Sequence, residues 1–265
     1  YRRYLRGRGL RIGSSKKSRD ALDHYIQTQE PEARRICVTK TGWYKDRFVL
    51  PDTNIPEDNM IVLQNSFEFE DEIQSKFIIS GSLEDWQREI GQRCRGNSRL
   101  AFAVSAAFAP PLLHLTGASS GGVHFPGPTT IGKTTIVMAA GSVGGGGDEK
   151  GFIESWRATA NGLEAIASVH NDSILVLDEI GEVDPKELNK VLYMLGNGFG
   201  KQRALRSGTG ASRRKWRIIF LSTGERTLGE YLASGGFRLQ GGQEVRTIDV
   251  PASVGKFGIF ETIQQ

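Results

Sequence analysis

Eight residues, Gly127-Pro128-Thr129-Thr130-Ile131-Gly132-Lys133-Thr134, constrain this fold more than any other part of the 265-residue chain. They fit the pattern G-x-x-x-x-G-K-[ST], between an apolar run at 122–126 and a helix-forming run at 133–140. Glycines let the backbone curl so that successive N–H groups point inward at phosphate oxygens. The following helix brings its positive dipole end to the same point. In such a loop Lys133 reaches the β- and γ-phosphates of a nucleotide, and the Thr134 hydroxyl ligates Mg²⁺. The expected lining therefore runs from Gly127 to Thr135: Gly127, Pro128, Thr129, Thr130, Ile131, Gly132, Lys133, Thr134 and Thr135. Pro128 departs from the ideal, because it removes one N–H donor.

A second pattern lies 45 residues beyond Lys133, in Ser173-Ile174-Leu175-Val176-Leu177-Asp178-Glu179. Four consecutive apolar residues read as a strand buried on both faces, with acids emerging at its carboxyl end, the edge where open α/β sheets bind ligands. Asp178 is the expected Mg²⁺ partner, and Glu179 is placed to orient or deprotonate a water against the γ-phosphate. Such an acid beside a metal ligand favours hydrolysis over phosphate transfer. A third apolar run, Trp216 to Leu221, ends in Ser222-Thr223. Inserted between the two earlier strands, it would carry Ser222 or Thr223 to the γ-phosphate. Asn189-Lys190-Val191-Leu192 lacks the Asp of a guanine-reading motif and falls in a helical pattern, which argues against guanine specificity.

From residue 115 onward the chain reads as strand 122–126, helix 133–140, helix 159–169, strand 173–178, helix 185–195, strand 216–222, a short helix at 227–233 and strand 244–250. Alternation of this kind predicts an α/β P-loop NTPase, a parallel sheet flanked by helices. The expected division is a core at 111–265 preceded by a smaller mixed α+β region at 1–110. Within that region, residues 35–50 read as two strands joined near Gly42, and Ser82 as a helix N-cap with Asp85 at the third position. Gly144–Gly147 reads as a flexible surface loop.

Charge is unevenly spread. Lys+Arg number 34 and Asp+Glu 30. Residues 2–19 hold eight basic groups and no acid, and residues 201–217 hold seven and no acid, in Lys201, Arg203, Arg206, Arg213, Arg214, Lys215 and Arg217. An acidic body with two concentrated basic segments is the layout of a polyanion binder. Two cysteines, Cys37 and Cys94, make no metal spacing and no disulfide framework, which fits the cytoplasm. The apolar run from Leu100 to Leu115 is broken by Pro110-Pro111 and is shorter than the roughly 18 residues of a membrane span. It reads as a buried helix ending at the prolines, so no membrane partner is expected. With Tyr1 in place of Met and no signal pattern, the chain reads as a piece of a longer protein.

Taken in order, the phosphate loop, acidic strand, basic segment, polar-ended strand and Arg246-Thr247-Ile248-Asp249-Val250-Pro251 resemble superfamily III helicases, AAA+-like ring motors of viruses, phages and plasmids. The segments 155–164 (SWRATANGLE), 193–201 (YMLGNGFGK) and 221–225 (LSTGE) are similar to a helicase-like domain of primase–helicase proteins from phages and mobile elements. The likeness spans about residues 35–260. It implies ATP and Mg²⁺ as cofactors, hydrolysis driving movement along single-stranded DNA in replication, and a hexameric ring. A primase or another replication protein is the implied partner. Arg246 matches the arginine that such motors insert into the neighbouring subunit's site, with Arg203 and Arg226 as rivals. The likeness also implies that the basic segment forms a hairpin with its tip at Gly208-Thr209-Gly210, which grips the nucleic-acid backbone in the channel through Lys201, Arg203, Arg206, Arg213, Arg214 and Lys215. Two alternatives stay open: a P-loop kinase, whose lid arginines and acceptor site are not visible in the sequence, and a non-motor ATPase switch controlling partner assembly.

Overall fold

The computed structural model of the protein describes residues 2–64, 76–147, 151–201, 213–239 and 241–263. Arg203, Arg206 and the expected hairpin tip at 208–210 lie outside the described residues. Two helices come first, α1 (Arg2–Gly7) and α2 (Lys16–Thr28), the second capped by the Ser15 side chain accepting from Ser18 N. Short strands follow: β1 (Ile36–Val38), β2 (Gly42–Tyr44), β3 (Arg47–Val49), β4 (Asn54–Ile55) and β5 (Ile61–Leu63). β1 pairs in parallel with β5, while β2, β3 and β4 form an antiparallel sheet.

Residues 35–50 therefore hold three strands, and the turn lies at Lys45-Asp46, where Lys45 takes φ 55°, rather than at Gly42. Gly42 serves a different purpose. Its φ is +92°, and a Cβ there would stand 2.5 Å from the Asp172 carboxylate. That close approach lets Trp43 N donate to Asp172 Oδ2 at 3.0 Å and Thr41 Oγ1 to the Val169 carbonyl at 2.6 Å. Trp43 Nε1 adds a bond to the Pro111 carbonyl at 2.8 Å. The small sheet is thus tied to residues 169–172, which lead into the strand at 173–178, and to Pro111.

Ser82 caps the next helix, α3 (Leu83–Trp86), accepting from Asp85 N, and the helical path continues to Arg95. The apolar run divides into α4 (Ser98–Phe108) and α5 (Pro110–Thr116), bent by 53° where Pro110 opens the second helix. Proline suits the first turn of a helix and not its interior, so the break falls where the pair stands. No single helix among the described residues is long and apolar enough to cross a membrane.

The centre of the fold is a parallel sheet of β6 (Gly121–Pro126), β7 (Ile153–Ser155), β8 (Ser173–Asp178), β9 (Ile218–Gly224) and β10 (Thr247–Asp249). Its order is β10-β6-β9-β8-β7. Helices α6 (Lys133–Gly141), α7 (Ala160–Val169), α8 (Pro185–Asn197) and α9 (Leu228–Ser234) connect and flank it. Strand pleating sends alternate residues to opposite faces. Ile174 and Val176 accordingly join Ala103, Phe125, Ile136 and Val137 in one core layer, whereas Leu175 and Leu177 join Leu163, Leu188 and Leu192 in the other. Burial on both faces explains the unbroken apolar run of β8. Helix ends follow local chemistry: Asp184 caps α8 with Pro185 next, Gly198 ends it at φ 75°, and Thr227 with Glu230 forms a capping box on α9.

Besides the turn near Gly42, three features differ from expectation, the first being the edge strand β7 (Ile153–Ser155), where the sequence reading placed no strand. The glycine tract at 144–147 is not a loose surface loop. A Cβ at Gly144 would lie 2.5 Å from the Phe152 ring and one at Gly147 2.6 Å from the Met138 carbonyl, so glycine is needed for close packing. Residues 251–263 fold back as a strap under the phosphate loop, with Ala252 N donating to the Pro126 carbonyl at 2.9 Å and Ile259 N to the Ile131 carbonyl at 3.1 Å. Asn97 Oδ1 anchors the strap, accepting from Glu261 N at 3.0 Å and Thr262 N at 3.1 Å.

Candidate nucleotide site and basic hairpin

The loop between β6 and α6 has the curl its sequence requires. Gly132 takes φ 98°, Thr130 takes φ 65°, and a Cβ at Gly127 would sit 2.6 Å from Ile131 Cδ1. Lys133 is 8% exposed, and its ammonium donates to the carbonyls of Gly127 at 2.8 Å and Pro128 at 2.7 Å. Pro128, Thr129, Thr130, Thr134 and Thr135 are exposed around it, and the Thr130 hydroxyl bonds the Thr129 carbonyl at 2.7 Å.

Opposite the loop stands the carboxyl end of β8. Thr134 Oγ1 donates to Asp178 Oδ2 at 3.2 Å, which brings the two expected metal partners together. The other carboxylate oxygen, Oδ1, accepts from the Thr223 hydroxyl and from Glu179 N at 3.1 Å. Glu179 takes φ 56° and ψ 80°, and its side chain accepts from Gly181 N at 3.2 Å. Gly127 N donates to the Gly224 carbonyl at 3.0 Å, joining the loop to β9.

Of the two hydroxyls at the end of β9, only Thr223 reaches this cluster. Ser222 points to the opposite face, is fully buried, and bonds His124 Nδ1 and Trp156 Nε1, each at 3.0 Å. Alternation along a strand forces this choice between neighbours. His124 was not foreseen; a histidine inside an otherwise apolar strand was the available signal. Burial pushes its pKa down to about 4, against the raising effect of its bond to the Arg226 carbonyl and with the Lys133 charge lowering it further.

The candidate arginines lie apart. Arg246 precedes β10, whose Thr247 pairs with Gly122, so it stands at the amino-terminal edge of the sheet, away from the loop of its own chain. Its Nη1 donates to Asn197 Oδ1 at 2.7 Å. Arg226 is exposed at the carboxyl edge, just past β9.

The basic segment begins and ends as an antiparallel pair. Phe199 bridges to Lys215, Gly200 N donates to the Arg214 carbonyl at 3.0 Å, and Trp216 N to the Gly198 carbonyl at 2.9 Å. The two arms thus leave the amino-terminal edge of the sheet side by side. Lys201, Arg213 and Lys215 are exposed, and the Arg213 guanidinium lies 3.8 Å from the Phe199 ring centroid. At the base, Lys201 N donates to the buried Glu164 carboxylate at 3.4 Å.

No curated protein matches the chain. Among solved structures it is similar to one described as "SCCmec type IV Cch - active helicase", with a TM-score of 0.68 and 18% identity. That match covers 89% of this chain and 44% of the other, so the chain spans less than half the length of that protein. At this identity the likeness is one of fold. Brucella abortus NtrX in complex with ADP follows at TM-score 0.33 and 16% identity, covering 69% of this chain and 39% of that one. A mutant RuvB of Thermotoga maritima has TM-score 0.30 and 14% identity, covering 62% and 45%. The profile of one family, described as "Domain of unknown function (DUF927)", matches residues 1–215. With most of its length inside that match, the chain belongs to the DUF927 family.

Proposed function

We propose that this chain is an ATP-hydrolysing motor of the AAA+, superfamily III-like kind, which assembles as a hexameric ring and moves along single-stranded DNA during replication of a phage or mobile element. The observation that carries the reading is the 3.2 Å contact between Thr134 Oγ1 and Asp178 Oδ2, made at the mouth of a loop rooted by Lys133. The fold likeness to a protein described as an active helicase supports it.

In this reading Lys133 exchanges the carbonyls of Gly127 and Pro128 for the β- and γ-phosphates of ATP. Backbone N–H groups of residues 129–134 and the start of α6 hold the remaining phosphate charge. Thr134 and Asp178 are a hard-oxygen pair suited to Mg²⁺, which is held by one or two protein groups with phosphate and water oxygens completing it. When bound there, the ion would neutralise charge on the phosphates. Glu179 turns from Gly181 N to accept the proton of the attacking water. Thr223, on the Asp178 carboxylate, stands where it senses the γ-phosphate. Arg246 of one subunit acts on the site of its neighbour, with Arg226 as its rival. The arms of the hairpin, through Lys201, Arg213, Arg214 and Lys215, hold the DNA backbone by sequence-independent contacts. Residues 1–110 serve assembly or nucleic-acid contact, and a primase or another replication protein completes the machine.

The test is ATPase activity with and without single-stranded DNA, together with the oligomer mass in ATP. Stimulation that weakens with salt, and a six-subunit mass, are expected. Absence of hydrolysis, or transfer of the phosphate to an acceptor other than water, would overturn the proposal.

A further inference from the structure

Three fully buried polar side chains cross the sheet behind the candidate site. Trp156, Ser222 and His124 are each 0% exposed. Trp156 Nε1 lies 3.0 Å from Ser222 Oγ, Ser222 Oγ lies 3.0 Å from His124 Nδ1, and His124 Nε2 lies 2.9 Å from the Arg226 carbonyl. The donor inventory leaves one arrangement. An indole N–H only donates and a carbonyl only accepts. Trp156 therefore gives its hydrogen to Ser222, and the Arg226 carbonyl requires the His124 proton on Nε2. A neutral ring then accepts at Nδ1, and the Ser222 hydroxyl supplies the hydrogen. Bonds chained in this way strengthen one another in a low-dielectric interior.

The middle and the histidine end of the chain bear on the site. Ser222 precedes Thr223, whose hydroxyl holds Asp178 on the other face of the strand. The His124 ring packs under Gly224, where a Cβ would stand 3.0 Å from His124 Cε1, and the Gly224 carbonyl holds Gly127 N of the phosphate loop. Trp156 lies in the SWRATANGLE segment, at the carboxyl end of β7. Its neighbours meet the short helix that follows Glu179, with Ser155 Oγ donating to Glu182 Oε2 at 2.7 Å and Arg157 Nε 3.2 Å from Glu182 Oε1.

We propose that Trp156, Ser222 and His124 are positioning residues for the hydrolysis proposed above, on which this inference rests: their chain fixes the carboxyl end of β9 against β6, and so sets Thr223 and the phosphate loop at their working separation. All three are fully buried, whereas Thr129, Thr130 and Thr134 of the loop are exposed. Their effect falls on the aligned, reacting geometry more than on nucleotide capture. Misplacement of about 1 Å can cost on the order of 10²-fold in rate.

The experiment compares Trp156→Phe, which keeps the ring and removes the donor, with Ser222→Ala and with the double variant. Each is assayed for ATP turnover and for binding of a fluorescent ATP analogue, at temperatures where thermal unfolding shows it folded. Expected are a kcat at least ~10-fold lower with analogue affinity within about 3-fold of wild type, and a double variant no worse than Ser222→Ala alone. Imidazole ¹⁵N spectra of the wild-type protein provide a second readout, expected to show His124 protonated at Nε2 only, with Nδ1 shifted by Ser222→Ala. Folded Trp156→Phe with wild-type kcat, or kcat and affinity falling together, would overturn the inference, as would a proton on Nδ1. A wild-type protein that binds ATP and does not hydrolyse it would instead sink the hydrolysis reading, while the ¹⁵N result would still report on the chain of bonds.

Discussion

Glu179 takes φ 56°, a left-handed conformation that non-glycine residues rarely adopt outside sites where the surroundings over-determine it. Its N–H is held by Asp178 Oδ1 and Thr223 Oγ1, each at 3.1 Å, so the strain is fixed by the metal-side cluster itself. Glu179→Gln keeps the side-chain size and the Gly181 contact and removes the base. It should bind ATP normally and lose roughly 10³–10⁵ in turnover, the range an arginine finger supplies in phosphoryl transfer; single-turnover assays would read this, and retained hydrolysis would refute the role. Lys133→Ala should abolish nucleotide binding, read by titration of a fluorescent analogue, because the buried ammonium is the loop's one side-chain cation. At this scale the sequence singles out Lys133 and Thr134 by one motif and Asp178 as the acid ending an apolar strand, and the fold brings Thr134 and Asp178 to 3.2 Å. It could not choose between Ser222 and Thr223, because which of two neighbours faces the site depends on the register of β9 in the sheet.

Among elements, the strap at 251–263 and the hairpin arms each carry a prediction. Ile259 is fully buried against Gly132, where a Cβ would come within 3.0 Å of it. Ile259→Ala should cost about 2–5 kcal/mol of stability by leaving a cavity under the phosphate loop, and urea denaturation would measure it. The hairpin arms present Lys201, Arg213 and Lys215 to solvent. Replacing all three with Ala should abolish strand displacement, leave basal ATPase activity intact and flatten the salt dependence of DNA binding. Unchanged unwinding would remove the hairpin from the mechanism. Four of the five strands of the large sheet are legible because two-face burial and capping residues are local signals, whereas β7, three residues long after the glycine tract, carries too little of either. The strap was not, since its partners Asn97 and Ile131 lie more than a hundred residues away in sequence. Gly42 reads as a turn for the same reason: its partner, Asp172, lies more than a hundred residues away in sequence.

For the whole molecule, two buried histidines link folding to pH. His124 and His170 are both pushed down to about 4, chiefly by burial, from an ordinary value of 6.5. The unfolded chain therefore binds more protons than the folded one between these values. Stability should be full above pH 6.5 and fall as pH drops toward 4, by on the order of 3 kcal/mol per histidine. Denaturation midpoints at pH 7 and pH 5 would check the sign, and a rise on acidification would contradict it. Ring assembly has its own test. If Arg246 acts across an interface, Arg246→Ala mixed with Lys133→Ala should regain part of the lost ATPase activity, since some sites then combine an intact lysine with an intact arginine. Absence of any such rescue would argue for a finger elsewhere.

What the sequence determined by itself is the chemistry of short range: a phosphate loop, an acid-ended strand, a polar-ended strand and a basic segment, each written in residues adjacent along the chain. Periodicity and spacing carry that information because backbone geometry is local. Only the tertiary structure decided which hydroxyl meets Asp178, that His124 and Trp156 join through Ser222, that Arg246 stands at the far edge of the sheet, and that the last residues brace the loop. Those are decisions of strand order and register, set by the burial of both sheet faces at once, and no single stretch of sequence contains them.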